Sequence, residues 1–148
     1  MVREFKNWGE NFKIEFNIKI TKQPGDYINV IHFTANGNGL VYGDRIPAVY
    51  IRGGKVYFFS AINGNFNHNY QFDYQLKHMY HIIIKQYKGK GYNGLAYWFE
   101  IIIDGESKVK IQNTQQKSFP NVKFYASDPW YDPFSSEFGC FGNITISK

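Results

Sequence analysis

Hydrophobic and polar positions alternate without a break in "NFKIEFNIKI", where Phe12, Ile14, Phe16, Ile18 and Ile20 take one parity and Lys13, Glu15, Asn17 and Lys19 the other. A period of two places these sets on opposite sides of an extended chain, so the segment predicts a strand with one wet face. "TKQPGDY" turns the chain at Pro24 and Gly25, and "YINVIHFT" resumes as a strand. A glycine-rich loop, "TANGNGLVYGD", leads into "IPAVYIRGGKVYFFSA". That segment reads as a hairpin, because Gly53-Gly54 supplies the positive φ angles of a tight two-residue turn. "INGNFNHN" reads as another loop, followed by strands in "YQFDYQL" and "MYHIIIKQY". The stretch "KGKGYNG" then separates the second of these from "AYWFEIIID", which Asp104-Gly105 turns into "KVKIQN". With "NVKFYAS" and "GCFGNITIS" the pattern gives about ten strands and no helix longer than a turn.

No repeat at a fixed period and no low-complexity linker interrupts this succession, which is read as one domain over residues 1–148. Many short strands in sequence must bury their apolar faces against one another. The expected fold is all-β: an antiparallel two-sheet jelly-roll sandwich. Composition strengthens that expectation, since aromatics make up 20% of the chain beside 14 glycines, and flat side chains pack well on a pleated surface.

A formal charge of +5 would help attract polyanions, but the lysines are spread along strands and turns rather than gathered in a run. This is the pattern of a solvated surface. Nucleic-acid binding is not expected, because basic residues do not cluster around an aromatic sheet face. Cys140 stands alone, so no internal disulfide is possible, and its parity with Ile144 and Ile146 predicts a buried thiol. No apolar run, that within "HIIIK" included, is long enough to span a bilayer. "MVREFKNWGE" has no apolar signal-peptide core, so a secretory leader would lie outside the sequence shown.

The order of segments resembles the concanavalin A-like jelly rolls, in particular the laminin G-like modules of extracellular multidomain proteins. The resemblance is carried by "FKIEFNIKI", "NVIHFT", the hairpin "GDRIPAVYIRGGKVYFFSA", "HMYHIIIKQ", "YWFEIIIDGE" and the closing "GNITI", and it covers nearly the whole chain. It implies recognition of glycans or matrix glycoproteins outside the cell, often with calcium and without catalysis. "VIHFTANG" is also similar to the galectin strand whose histidine faces sugar, but Thr34, Ala35 and Asn36 stand where that site has Asn, Pro and Arg. The galectin site is therefore not transferred. Asn143-Ile144-Thr145 is a glycosylation sequon, consistent with an extracellular or secreted setting.

The candidate chemistry is concentrated in "YASDPWYDPF", residues 125–134. Pro129 and Pro133 each remove a backbone donor and bias Asp128 and Asp132 towards extended conformations, which makes the stretch a stiff loop. Its aromatic residues can plug the open end of the sandwich, the expected role of Trp130, or stay outside as platforms for sugar rings, the role expected of Tyr131. Asp128 and Asp132 could accept hydroxyls or join Asp44 in holding calcium, which takes six to eight oxygens from irregular loops. They could equally be turn residues. His32 is a candidate exposed site residue, and Asn36, Asn38, Asn63, Asn65, Asn67 and His68 lie in segments suited to hydroxyl recognition. His78 and His81, at an odd offset on a strand, point to opposite faces and do not make a metal pair.

A glycosidase needs two carboxyl groups within 5 to 9.5 Å or so. Glu100 and Asp104 share a strand face, but at about 3.3 Å per residue they stand roughly 13 Å apart. The sequence therefore points to a non-enzymatic module that binds carbohydrate or a glycosylated matrix partner. The alternatives are a structural self-association domain and, behind it, a glycoside hydrolase.

Overall fold

The computed structural model describes residues 1–39 and 41–148. Twelve strands are found among them: β1 (Arg3–Trp8), β2 (Phe12–Ile20), β3 (Ile28–Thr34), β4 (Ala48–Arg52), β5 (Lys55–Ile62), β6 (Asn65–Asp73), β7 (Met79–Gly91), β8 (Gly94–Ile103), β9 (Glu106–Asn113), β10 (Phe119–Tyr125), β11 (Asp132–Pro133) and β12 (Gly139–Ser147). They form a two-sheet, jelly-roll-like sandwich. The larger sheet runs β1-β10-β3-β4-β5-β6, and the smaller runs β12-β2-β7-β8-β9. All ladders are antiparallel except that of β11, which pairs in parallel with Ile28 and Asn29 where β10 no longer covers β3.

The alternation in β2 does what its period requires. Ile14, Phe16, Ile18 and Ile20 are fully buried, and with Ile82, Ile84, Phe99 and Ile101 they face Ile31, Phe33, Val49, Ile51, Val56 and Phe58 of the larger sheet across one continuous core. Lys13, Glu15, Asn17 and Lys19 keep the wet face. β3 and β4 behave differently, being buried at every position but Arg52. Their second face carries a separate aromatic layer of Ala48, Tyr50 and Phe59, with Tyr27, Tyr57 and Tyr131 packed against it. The middle of the larger sheet, β3 and β4, is thus covered on both sides, by the smaller sheet within and by the loop after β10 without.

Four local features depart from the sequence pattern. Residues Arg3–Trp8, expected to precede the first strand, form an edge strand on β10. Trp8 is fully buried between Phe12 and Phe33, with centroids 4.9 and 4.8 Å away, and donates its indole hydrogen to the Ile46 carbonyl at 2.8 Å. "INGNFNHN" is a hairpin rather than a loop, because Asn63 (φ 55°) and Gly64 (φ 79°) make the two-residue turn and Ile62 already pairs with Asn65. The lysine and glycine stretch extends the hairpin, with Lys88, Gly89 and Lys90 paired to Tyr97, Ala96 and Leu95. Cys140 is exposed, not buried, since the register of β12 shifts between Gly142 and Thr145 and breaks its shared parity with Ile144 and Ile146.

Candidate functional site

Residues 125–134 neither plug the end of the sandwich nor hang free. They run across the outer face of β3, tied down by backbone groups: Ser127 N–H donates to the Val30 carbonyl at 3.2 Å and Phe134 N–H to the Asn29 carbonyl at 3.1 Å. Asn29 sits at a register shift in β3, and its fully buried side chain accepts from Asp128 N–H at 2.8 Å while donating to the carbonyls of Ile31 and Val49. The aspartate closes the loop on itself. Its Oδ1 accepts the amides of Trp130 and Tyr131 at 3.0 Å each, and its Oδ2 lies 2.6 Å from His32 Nδ1 and accepts Tyr50 O–H at 3.2 Å.

His32 is fully buried in this network. Its Nε2 is 2.6 Å from the Asp44 carbonyl, which can only accept, so Nε2 is the donor in that contact and Nδ1 is the nitrogen turned to the carboxylate. Burial works against the charged form of Asp128, but the His32 hydrogen bond and charge and the two loop amides outweigh it and hold the group below the usual carboxylate range. Burial likewise pushes the Tyr50 phenol far above its ordinary value, with Arg45 opposing the rise and Asp128 adding to it. Tyr50 therefore stands neutral as a donor.

What this clamp positions is a cleft of about 220 Å³ on the outer sheet face, lined by Tyr27, Arg45, Tyr50, Phe59, Asn67 and Tyr131. Tyr131 meets Tyr50 edge to face at 5.0 Å between centroids and Tyr27 at 6.3 Å, and Tyr50 meets Phe59 at 5.7 Å. Such edge-to-face packing holds rings in fixed orientations. The Arg45 guanidinium lies over the rings of Phe59 and Tyr50 at 4.7 and 5.1 Å, and Nη1 donates to Asn67 Oδ1 at 2.8 Å. The result is a concave, largely aromatic surface with a few convergent polar groups, the usual constitution of a small-molecule site.

The same architecture occurs in the toxin receptor-binding domains. The receptor binding domain of botulinum neurotoxin D superposes with a TM-score of 0.62 at 15% identity, over 96% of this chain and 34% of that one. That of the C/D mosaic serotype gives 0.58 at 16% identity, over 93% and 32%. A serotype D ligand binding domain in complex with N-acetylneuraminic acid gives 0.59 at 13% identity, over 95% and 34%. The likeness is one of fold. The chain spans about a third of the length of these neighbours. No family model matches the sequence, and no curated protein sequence does.

Of the residues singled out from sequence, Tyr131 and Asn67 line the cleft. Asp128 and His32 lie behind it as the clamp, and the expectation of an exposed His32 is corrected by its complete burial. Trp130 is 43% exposed and does not plug the interior; it rests on His32 and Tyr125 at centroid distances of 5.4 and 5.5 Å. Asn36, Asn65 and Asp132 are exposed, Asn65 accepting the Asn67 amide at 2.9 Å and Asp132 pairing with Ile28. His68 pairs with Ser60 on the face opposite to that of Asn67, and burial lowers its pKa. Both oxygens of Asp128 are occupied by donors, and among the described residues no group of three His, Cys, Asp or Glu side chains could hold a metal ion. Glu100 accepts from Tyr87 and Ser107, while Asp104 sits in a turn at φ 51° and takes the His81 amide, so neither faces the other across a cleft.

Tyr27, Arg45, Tyr50 and Phe59 were missed. The available signal was "AVYI", whose two parities are both apolar: a strand with no wet face announces a cover on each side.

Proposed function

We propose that the protein is a non-enzymatic binding module that takes a sugar ring of a glycan or extracellular glycoprotein in the Tyr27–Tyr50–Phe59–Tyr131 cleft. The observation that carries this reading is the cleft itself, in which fixed aromatic faces stand beside Asn67, Arg45 and the Tyr131 hydroxyl. A pyranose offers an apolar C–H face to aromatic rings and hydroxyls to amide and guanidinium donors. The volume of about 220 Å³ lies below that of drug-sized pockets and suits a single ring better than a buried oligosaccharide. None of the lining residues carries a carboxyl group, so the cleft offers neither the acid nor the base that glycoside hydrolysis uses. Exposure of Asn143 in its sequon agrees with a secreted setting.

A glycan array probed with the wild-type protein and with Tyr131→Ala is the test. Saturable binding to a subset of sugars, lost in the variant, is expected. A flat array with folded wild-type protein would overturn the reading.

A further inference from the structure

The inference concerns which sugars the cleft takes and rests on the sugar-binding reading of it. Arg45 has no carboxylate within 4 Å among the described residues, and it is half-buried against the faces of two aromatic rings in the wall of the cleft. Its side chain is held by neutral groups alone. Asn67 takes Nη1 at 2.8 Å, whereas the contacts of Nε and Nη2 to Asn38 Oδ1 are long, at 3.4 and 3.3 Å, as is that of Nη2 to the Tyr131 hydroxyl at 3.5 Å. The nearby acid of the clamp, Asp128, is committed to His32, Tyr50 and two amides.

A guanidinium pinned over aromatic rings at the wall of an open cleft, without a counter-charge, is pre-organised for an anion. Its planar, forked donors match a carboxylate in particular, because two parallel N–H···O bonds satisfy both partners. From this geometry we infer that the cleft selects acidic sugars: the ring lies among Tyr27, Tyr50 and Tyr131, and a ring carboxylate meets the Nε and Nη2 edge of Arg45, replacing its long contacts. The aromatic residues supply affinity for a sugar face and Arg45 supplies the choice among sugars. The net charge of +5 favours encounter with such ligands.

The experiment is a calorimetric or NMR titration of the wild-type protein with N-acetylneuraminic acid, glucuronic acid, the methyl ester of each, galactose and a sulfated galactose. The esters keep the ring and remove only the charge. At least one acid is expected to bind 10-fold or more tightly than its ester, with affinity falling as salt rises. Arg45→Gln should bring acid and ester to equal affinity, and Arg45→Lys should restore part of the difference; thermal unfolding of both variants shows that they are folded. Equal binding of acid and ester by the wild-type protein would overturn the inference while leaving the sugar-binding reading standing. Arg45-dependent binding of the sulfated sugar alone would overturn the carboxylate assignment. Binding of no saccharide would overturn both readings.

Discussion

His32 Nδ1 and Asp128 Oδ2 are 2.6 Å apart, both side chains are completely buried, and the pair lies not in the core between the sheets but on the outer face of β3 beneath the loop that carries Tyr131. A residue of the sheet and a residue 96 positions later are thereby fixed to each other, and the loop amides of Trp130 and Tyr131 are fixed to the same carboxylate. The position of one wall of the cleft thus depends on a polar contact behind it.

Removing one partner of a buried pair leaves the other desolvated and uncompensated, at a cost of about 3 to 5 kcal/mol. Asp128→Ala also strands the two loop amides and the Tyr50 hydroxyl. A loss of about 3 kcal/mol or more is expected in urea unfolding, with ligand affinity falling alongside it. An effect below about 1 kcal/mol would show that the loop is held by its backbone bonds alone.

The pair makes part of the stability dependent on acid. The carboxyl of Asp128 is held below its usual value in the folded protein, so folding favours its charged form. That contribution is complete above about pH 4, the unfolded carboxylate range, and is lost as pH falls through the lower folded value. Glu15, Glu100 and Asp104 are also lowered: Glu15 through the His81 hydrogen bond, the other two because hydrogen bonds and nearby charges outweigh burial. Acid unfolding is therefore the sum of several groups. Unfolding free energies of wild type and Asp128→Asn, measured from pH 7 to pH 2.5, should converge at the acid end; parallel curves would exclude Asp128 as a contributor.

Much of the sandwich was legible because its causes are local. Unbroken alternation in β2 fixes which side chains enter the core, and the glycine and asparagine turns fix where strands reverse. Even the errors were local: Asn63-Gly64 carried a two-residue hairpin signal, and a run of polar residues in β6 concealed it. The cleft was legible only through Tyr131 and Asn67. Tyr27, Arg45, Tyr50, Phe59 and Asn67 come from separate segments whose convergence depends on the order β3-β4-β5-β6, and period-two patterns assign faces without assigning neighbours. His32 was misjudged for the same reason, since its parity placed it outside the core but could not reveal the loop above it.

Tyr131 separates binding from folding. Its ring packs on Tyr50 and Tyr27, but it is half exposed and its backbone amide, not its side chain, is held by the clamp. Tyr131→Ala should cost about 1 to 2 kcal/mol of stability from lost aromatic packing. It should reduce sugar affinity at least 10-fold. Tyr131→Phe should keep the stability and lose only the part of affinity due to the hydroxyl. Calorimetric titration beside thermal unfolding of both variants checks this, and unchanged affinity in Tyr131→Ala would place the binding surface elsewhere.

Cys140 tests the register of β12. Pairing of Cys140 with Lys19, on the wet face of β2, exposes the thiol, while the shift between Gly142 and Thr145 returns Ile144 and Ile146 to the core side. An exposed thiol reacts with reagent in the native state, whereas one buried in the sandwich waits for unfolding. Stoichiometric labelling of the native protein by a chromogenic disulfide reagent is therefore expected within minutes, without denaturant. Cys140→Ser should change stability by less than about 0.5 kcal/mol, as for other exposed positions. Labelling that appears only in denaturant would mean that β12 runs in unbroken register, with Cys140 inside and the two isoleucines still on its side of the strand.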